Sequence, residues 1–344
     1  MKALVYHGPG QKRWEQMPDP SILKDTDAIV RIDHSTICGT DLHILKGHVP
    51  TTEPGRILGH EATGTVVEVG RGVSTVEKGD RVICSCVSSC GRCRFCRAGN
   101  PGQCLDEEGS WVLGNTVDGL QAEFARIPFA DNSLNKIPDD LTDEQVIYLS
   151  DILATGYEVG VMLGHVQPGD VVVVVGTGPI GLSTMLAARL FSPAMLIGVD
   201  PAASRREFAL KYADVAVAPE DAAAAVADAT DGLGADVAVE AVGIPQTFEQ
   251  CCELIRPGGR VANIGVHGEP AHLHLETLWA KQITITTGIP DCRAIPTLIK
   301  AIASGRMDPS AFTTHRYGLD DTMEAYDTFE RAAETNAMKV LLKH

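Results

Sequence analysis

Residues 171–175 are an unbroken run of valine that leads straight into Gly176-Thr177-Gly178-Pro179-Ile180-Gly181 and then into the helix-forming stretch LSTMLAARL. A continuous β-branched run suits a strand covered on both faces, and its handover to a helix through glycines marks a βα unit of a parallel sheet. The texture repeats in MLIGV at 195–199, VAVEAV at 237–242, RVANIG at 260–265 and ITITTG at 283–288. Ala-rich amphipathic stretches separate these runs, and AAAAVADA from Ala222 is expected to be an ordinary crossover helix. The alternation predicts an α/β, doubly wound parallel sheet in this half of the chain.

The glycine loop gives that sheet a ligand. Gly176 permits a tight turn, Gly178 lets the backbone approach a pyrophosphate, and Gly181 allows close helix packing. The helix N-terminus adds amide donors and a positive dipole end. Asp200 closes the next strand, about 20 residues on, where a carboxylate can accept hydrogen bonds from adenosine ribose hydroxyls and repel a 2′-phosphate. NAD is therefore expected over NADP. Arg205 and Arg206 pull the other way, since a guanidinium there could hold a phosphate, stack on adenine or face solvent.

Residues 1 to about 150 read differently, with short β-branched runs at 28–32, 63–69 and 81–84 between Gly- and Pro-rich turns, which is the pattern of a β-rich domain. The tail from Ala294 loses the alternation and ends in the strand-like MKVLL, and is expected to return to the first domain. The net charge of −16, from 29 basic and 45 acidic residues, opposes docking on nucleic acid or on anionic lipid. No stretch reaches the roughly 18 apolar residues of a membrane helix, and the opening MKALVYHGPGQKRW lacks the apolar run of a secretory signal. Neither nucleic acid nor membrane is an expected partner, and a cytoplasmic location is expected.

Of the ten cysteines, Cys90, Cys93, Cys96 and Cys104 stand in a C-x2-C-x2-C-x7-C pattern. Four thiolates at that spacing on a Gly-punctuated loop can close a tetrahedral zinc site with no open position, which makes its role structural. Cys38 in ICGTDLH and His60 in GHEATG are two further potential zinc ligands, although taken alone Cys38 is most often a core thiol and His60 a satisfied histidine. Cys86 is a candidate for a pocket wall. Cys84, Cys251, Cys252 and Cys292 show no ligand spacing, and His165, His267, His272, His274 and His315 have no partner that the sequence identifies.

At these residues the chain resembles the zinc-dependent medium-chain dehydrogenases, the alcohol dehydrogenase superfamily. The resemblance rests on Cys38-Gly39-Thr40-Asp41 with His43, on Gly59-His60-Glu61, on the four-cysteine lobe, and on Gly176 to Gly181 with Asp200, in the family's order along nearly the whole chain. It implies a GroES-like β-rich catalytic domain from residues 1–153 and 294–344, with a Rossmann domain inserted at 154–293. It also implies two zinc ions per chain, one catalytic and one structural, with NAD as cofactor. The family's third catalytic ligand, usually a cysteine, falls here on Asp151, before Thr155-Gly156. A Cys38, His60 and Asp151 set is similar to that of bacterial NADP-linked secondary alcohol dehydrogenases; the alternative is Asp151 as a helix cap, with a two-ligand site or one completed by Glu61.

The resemblance further implies that Glu61 lies close enough to approach the metal during exchange, and that Asp41 orients His60 through a hydrogen bond. Trp111 would line the substrate pocket, and Lys339 would lie near the cofactor pyrophosphate. Thr40 would take the proton of the reacting alcohol and pass it through the nicotinamide ribose to His43. The function expected is a zinc-dependent alcohol dehydrogenase or carbonyl reductase for a small-molecule alcohol, ketone or aldehyde, with secondary alcohols foremost. A polyol or threonine-type dehydrogenase of the same superfamily is the alternative. A non-catalytic dinucleotide-binding relative would have lost Cys38, His60, Asp151, Thr40 or His43, and all are present. Relatives lead to the expectation of a homo-oligomer, a tetramer ahead of a dimer.

Overall fold

The computed structural model describes residues 1–344, and these divide into two compact units, Met1–Ala154 with Pro290–His344, and Thr155–Ile289. The strands in chain order are β1 (Lys2–Gly8), β2 (Gln11–Gln16), β3 (Ala28–Thr36), β4 (Ala62–Val69), β5 (Arg81–Cys84), β6 (Phe124–Ile127), β7 (Leu134–Lys136), β8 (Val171–Val175), β9 (Met195–Val199), β10 (Val215–Val217), β11 (Ala235–Glu240), β12 (Ile255–Asn263), β13 (Thr284–Thr287), β14 (Thr313–Gly318) and β15 (Lys339–Lys343). No single helix is long and apolar enough to cross a membrane.

In the first unit a sheet runs in the order β14-β15-β3-β4-β5-β7, with β6 also paired to β3, and β1 and β2 form a separate hairpin. The tail re-enters this sheet by pairing Leu341, Leu342 and Lys343 antiparallel to Thr36, Ser35 and His34. That pairing brings residues more than 300 positions apart onto neighbouring strands, directly behind the loop that carries Cys38. Alternating inward residues of β3, β4 and β5, among them Val30, Ile32, Val66 and Val82, join Leu113, Leu120 and Ile127 in one buried cluster. A second cluster holds Ile37, Ile44 and Leu58 against Tyr326, Val340 and Leu342, so the segments flanking the chemistry are packed on the C-terminal tail.

The second unit is a parallel sheet in the order β10-β9-β8-β11-β12-β13. Counted along the chain within the unit, this is the doubly wound 3-2-1-4-5-6 order, in which the strand order reverses beside the first strand and ligands bind at the carboxyl ends there. All five residues of β8 are buried, as a strand with helices on both faces requires. The helix Pro179–Ala188 starts directly after β8, with Gly178 as its N-cap and proline in its first turn, where the missing amide hydrogen costs nothing.

Candidate metal and dinucleotide sites

Cys38 ends the segment after β3 and caps the helix Gly39–Leu45. Asp41 closes a capping box there, its Oδ2 accepting from the Cys38 amide at 2.9 Å, so the turn that presents the thiol is held by the residue three positions on. His60 and Glu61 immediately precede β4. Gly59 before them has φ +93°, and a Cβ there would meet the Gln121 side chain at 2.5 Å, so only glycine fits. Asp151 stands between the single turn Ile147–Ser150 and the helical turn that begins at Ile152.

These three elements gather Cys38, His60 and Asp151 so that one ligand atom from each lies within 4.8 Å of the others. His60 Nε2 is 3.3 Å from Asp151 Oδ2, and Cys38 Sγ is 3.7 Å from the same oxygen. Tetrahedral zinc with bonds of about 2.0 Å to nitrogen and oxygen and about 2.3 Å to sulfur separates its ligand atoms by about 3.3–3.7 Å. The donor set therefore fits a zinc ion with three protein ligands and a fourth position left over.

Burial alone would push the His60 imidazole toward its neutral form, but the charge of Asp41, with contacts to Asp151 and Cys38, prevails and holds its pKa well above the usual histidine range. Burial pushes the Cys38 thiol up, and the nearby Glu61 charge adds to this. A divalent cation is the group that would relieve both, since it stabilises the thiolate and the neutral imidazole together.

The surroundings of the cluster come from distant parts of the chain. Asp41 Oδ1 stands 3.5 Å from His60 Nδ1, an ion-pair separation longer than a good hydrogen bond. Asp41 Oδ2 also accepts from Gln121 Nε2 at 3.2 Å, and Tyr326 donates its hydroxyl to Gln121 Oε1 at 2.8 Å. The Trp111 ring meets the His60 ring edge-on, with centroids 5.9 Å apart. Thr40 Oγ1 is 3.7 Å from Cys38 Sγ. His43, one helical turn after Thr40 and on the same face, has Nδ1 3.1 Å from Nδ1 of His48. Burial, then His48 and Lys46, lower its pKa.

Lys339 requires a correction to the sequence reading. Lys339 is 1% exposed, and its ammonium donates to the Ile37 carbonyl at 2.9 Å and to Glu61 Oε2. The same Glu61 oxygen accepts from Thr36 Oγ1. Instead of reaching toward a pyrophosphate, the Lys339 ammonium is a buried counter-charge, because a carboxylate and an ammonium taken out of water need each other. Glu61 Oε1 has no hydrogen-bond partner in its buried position. Nothing in either residue's neighbourhood in sequence signals the pair. The Cys86 Sγ lies 3.6 Å from Asp151 Oδ1 and 3.6 Å from Cys292 Sγ, a contact that no spacing in the sequence signals.

The four-cysteine lobe is a second cluster, with the sulfurs of Cys90, Cys93, Cys96 and Cys104 all within 4.8 Å of one another. Backbone amides aim at them: Cys93 N at Cys90 Sγ, Cys96 N at Cys93 Sγ and Cys90 N at Cys104 Sγ, at 3.4–3.5 Å. Such amides favour thiolates, and those of Cys96 and Leu105 bring the Cys93 thiol down to about 6. A Cβ at Gly109 would meet Cys104 Sγ at 2.4 Å, so the wrap depends on that glycine. Four sulfurs with no open position fit a structural zinc ion.

In the second unit, Gly176 has φ +96°, and a Cβ on Gly181 would fall 1.9 Å from the Gly176 carbonyl oxygen, so the first and third glycines are demanded by the loop itself. A Cβ on Gly178 would meet only Arg205 Nη1, at 3.6 Å, which leaves the middle of the loop open for a ligand. Asp200 is buried, with Oδ2 accepting from the Thr177 amide and Oδ1 from the Ala202 amide, each at 2.9 Å. A ribose would have to share those oxygens. Arg206 donates to the Asp200 and Pro201 carbonyls, so Arg205 is the guanidinium nearer the loop.

Residues 24–139 match the family model of the alcohol dehydrogenase GroES-like domain, and residues 179–304 match that of the zinc-binding dehydrogenases. An alcohol dehydrogenase of Cupriavidus necator is 35% identical, with all of this chain and 98% of the relative aligned. The chain belongs to the zinc-dependent alcohol dehydrogenase family. A solved zinc-dependent alcohol dehydrogenase 2 from Streptococcus pneumonia, in its apo form, superposes with a TM-score of 0.95 at 46% identity, covering 100% of this chain and 98% of its own. A structure from Sinorhizobium meliloti 1021, described as a zinc-binding dehydrogenase bound to NADP, has a TM-score of 0.85 at 28% identity, covering 100% and 99%. The GroES-like and Rossmann-like units of this dehydrogenase are those of the family, and its activity is that of an oxidoreductase with zinc and a nicotinamide cofactor.

Proposed function

We propose that this alcohol dehydrogenase oxidises secondary alcohols foremost, with NAD as the preferred acceptor, and reduces the matching ketones and aldehydes in reverse. The observation that carries the reading is the convergence of Cys38, His60 and Asp151 with the Trp111 ring against His60. These three side chains would hold the catalytic zinc, and the four cysteines at 90, 93, 96 and 104 the structural one, giving two ions per chain. The catalytic ion supplies Lewis acidity toward an alcohol oxygen, and the nicotinamide supplies the hydride acceptor.

The chain's own residues do the rest. Asp41, which accepts from Gln121, whose Oε1 in turn accepts from Tyr326, aligns His60. Thr40 Oγ1, beside the Cys38 sulfur, accepts the alcohol's proton while donating its own onward. His43, half-buried with a lowered pKa, is neutral near pH 7 and able to receive that proton. Trp111 supplies an apolar wall, which favours a secondary alcohol's hydrocarbon groups over a polyol. Glu61 and its counter-charge Lys339 keep a fixed field behind the metal ligands.

Gly176, Gly178 and Gly181 would cradle the pyrophosphate, and Asp200 would disfavour a 2′-phosphate, with Arg205 as the competing influence 4.0 Å from Asp200. We also propose a homotetramer in the cytoplasm; support for self-association comes from the terminal position of β13 in its sheet and from Trp279, which is 79% exposed. The deciding experiment is nicotinamide reduction with 2-propanol and 1-phenylethanol, each with NAD and with NADP, on wild type and Asp200→Gly. Higher kcat/KM with NAD, narrowed or reversed in Asp200→Gly, is expected. Wild type preferring NADP would assign the determinant to Arg205, and no turnover of secondary alcohols beside turnover of polyols or threonine would overturn the substrate class.

A further inference from the structure

Asp151 has two carboxylate oxygens with different surroundings. Oδ2 faces His60 Nε2 and Cys38 Sγ, at 3.3 and 3.7 Å, whereas Oδ1 faces Cys86 Sγ at 3.6 Å. Cys86 is buried just after β5, and its amide donates to the Ser150 carbonyl at 2.8 Å, which ties it to the segment that carries Asp151. An ionised carboxylate only accepts, so between these two groups the thiol is the donor. The Cys86 sulfur also lies 3.6 Å from Cys292 Sγ, so the two thiols are in hydrogen-bond contact beside the carboxylate. Cys292 comes from the segment where the chain re-enters the first unit, and it holds φ +56°, a left-handed conformation that L side chains rarely adopt. Strain of this kind persists where surrounding structure over-determines a residue's position.

We infer that Cys86 and Cys292 are positioning residues for Asp151, a hydrogen-bonded thiol pair that occupies Oδ1 and restricts the carboxylate to one-oxygen ligation through Oδ2. The inference rests on the proposed metal site at Cys38, His60 and Asp151. Its chemical consequence follows from coordination number: a two-oxygen carboxylate would fill the position that a three-ligand catalytic site must leave open. Asp151 replaces a ligand type, the thiolate, that offers a single atom. A carboxylate in that place needs a neighbour to make it behave as a one-atom ligand, and Cys86 supplies the neighbour.

The test uses full-length zinc-loaded enzyme and two readouts independent of turnover: zinc affinity by competition with a chromophoric chelator, and the visible spectrum after cobalt replaces the catalytic ion. Cys86→Ala is expected to weaken zinc at the three-ligand site about tenfold or more, the range seen when partners of metal ligands are removed. It should also shift the cobalt bands, while the four-cysteine zinc stays bound and reports an intact fold. Cys86→Ser, which keeps a donor, should restore most of the affinity and the wild-type spectrum. Wild-type affinity and spectrum in Cys86→Ala would overturn the inference, and so would Cys86→Ser failing to restore them, which would make the effect one of packing. Asp151→Ala serves as the control for the site itself: if it kept full zinc affinity, the ligand assignment would fall, whatever the Cys86 variants did.

Discussion

Under the proposed ligand set, Asp151→Ala removes one of three ligands, and zinc analysis should find one ion per chain, held by the four cysteines, with turnover nearly abolished and cofactor binding intact. Two retained ions with activity would make Glu61, whose Oε1 lacks a partner, the candidate third ligand. Thr40→Ala removes a hydroxyl beside the Cys38 sulfur but no ligand atom, so it should keep both ions yet slow turnover by about 10²-fold or more, the scale of a positioned proton-transfer group. Lys339→Met is different in kind. It strands the Glu61 carboxylate, 1% exposed, and breaking one partner of a buried pair costs about 3–5 kcal/mol. A denaturant midpoint within error of wild type would show that the Glu61 carboxyl had found another way to be neutral.

The glycine loop allows steric demand and ligand demand to be separated within one element. Gly181→Ala would drive a Cβ to 1.9 Å from a backbone oxygen, so the loop or the helix must move. The thermal midpoint should drop, and NAD affinity should fall with it. Gly178→Ala meets nothing closer than the end of the Arg205 side chain, so the free protein should keep its midpoint while calorimetric NAD binding weakens. Equal destabilisation by both would mean that the middle glycine serves the turn and not a ligand. This loop was legible in the sequence because everything that defines it lies within a dozen residues: buried valines, φ-positive glycine, helix start. The four-cysteine lobe was legible for the same reason. The pairing of Lys339 with Glu61 was not, because burial of an ammonium depends on β15 pairing with β3, and no local pattern in KVLLK reports its partner. Nor could spacing disclose the Cys86–Cys292 contact, which the return of the chain at Pro290 creates. Asp200 shows the intermediate case, placed at its strand end by pattern but with both oxygens engaged by amides that only the folded loop supplies.

At the scale of the molecule, the excess of acidic over basic side chains sets how the protein responds to acid, and two effects oppose each other. The net charge of −16 at pH 7 falls toward zero near the sequence pI of about 5.1, which relieves self-repulsion. Against this, His34 is held neutral: burial lowers its pKa below 6.5, with nearby Asp143 opposing less strongly, and its Nδ1 lacks a partner. A folded-state pKa below the unfolded value means that the unfolded chain takes up the proton first, so the stability His34 contributes is present above about pH 6.5 and is lost as pH falls through that value toward its folded pKa. Glu108, desolvated but held by Lys24 and Arg126, and Asp131, desolvated but held by the amides of Ser74 and Thr75, also have lowered pKa values. Their contribution is lost in a lower window, beneath the ordinary carboxylate range. His34→Gln removes only the upper step. Thermal midpoints measured for both proteins at matched pH, so that metal loss in acid cancels, should show wild type losing more than His34→Gln between pH 7.5 and pH 5.5. A constant difference across that interval would locate the acid sensitivity in other groups.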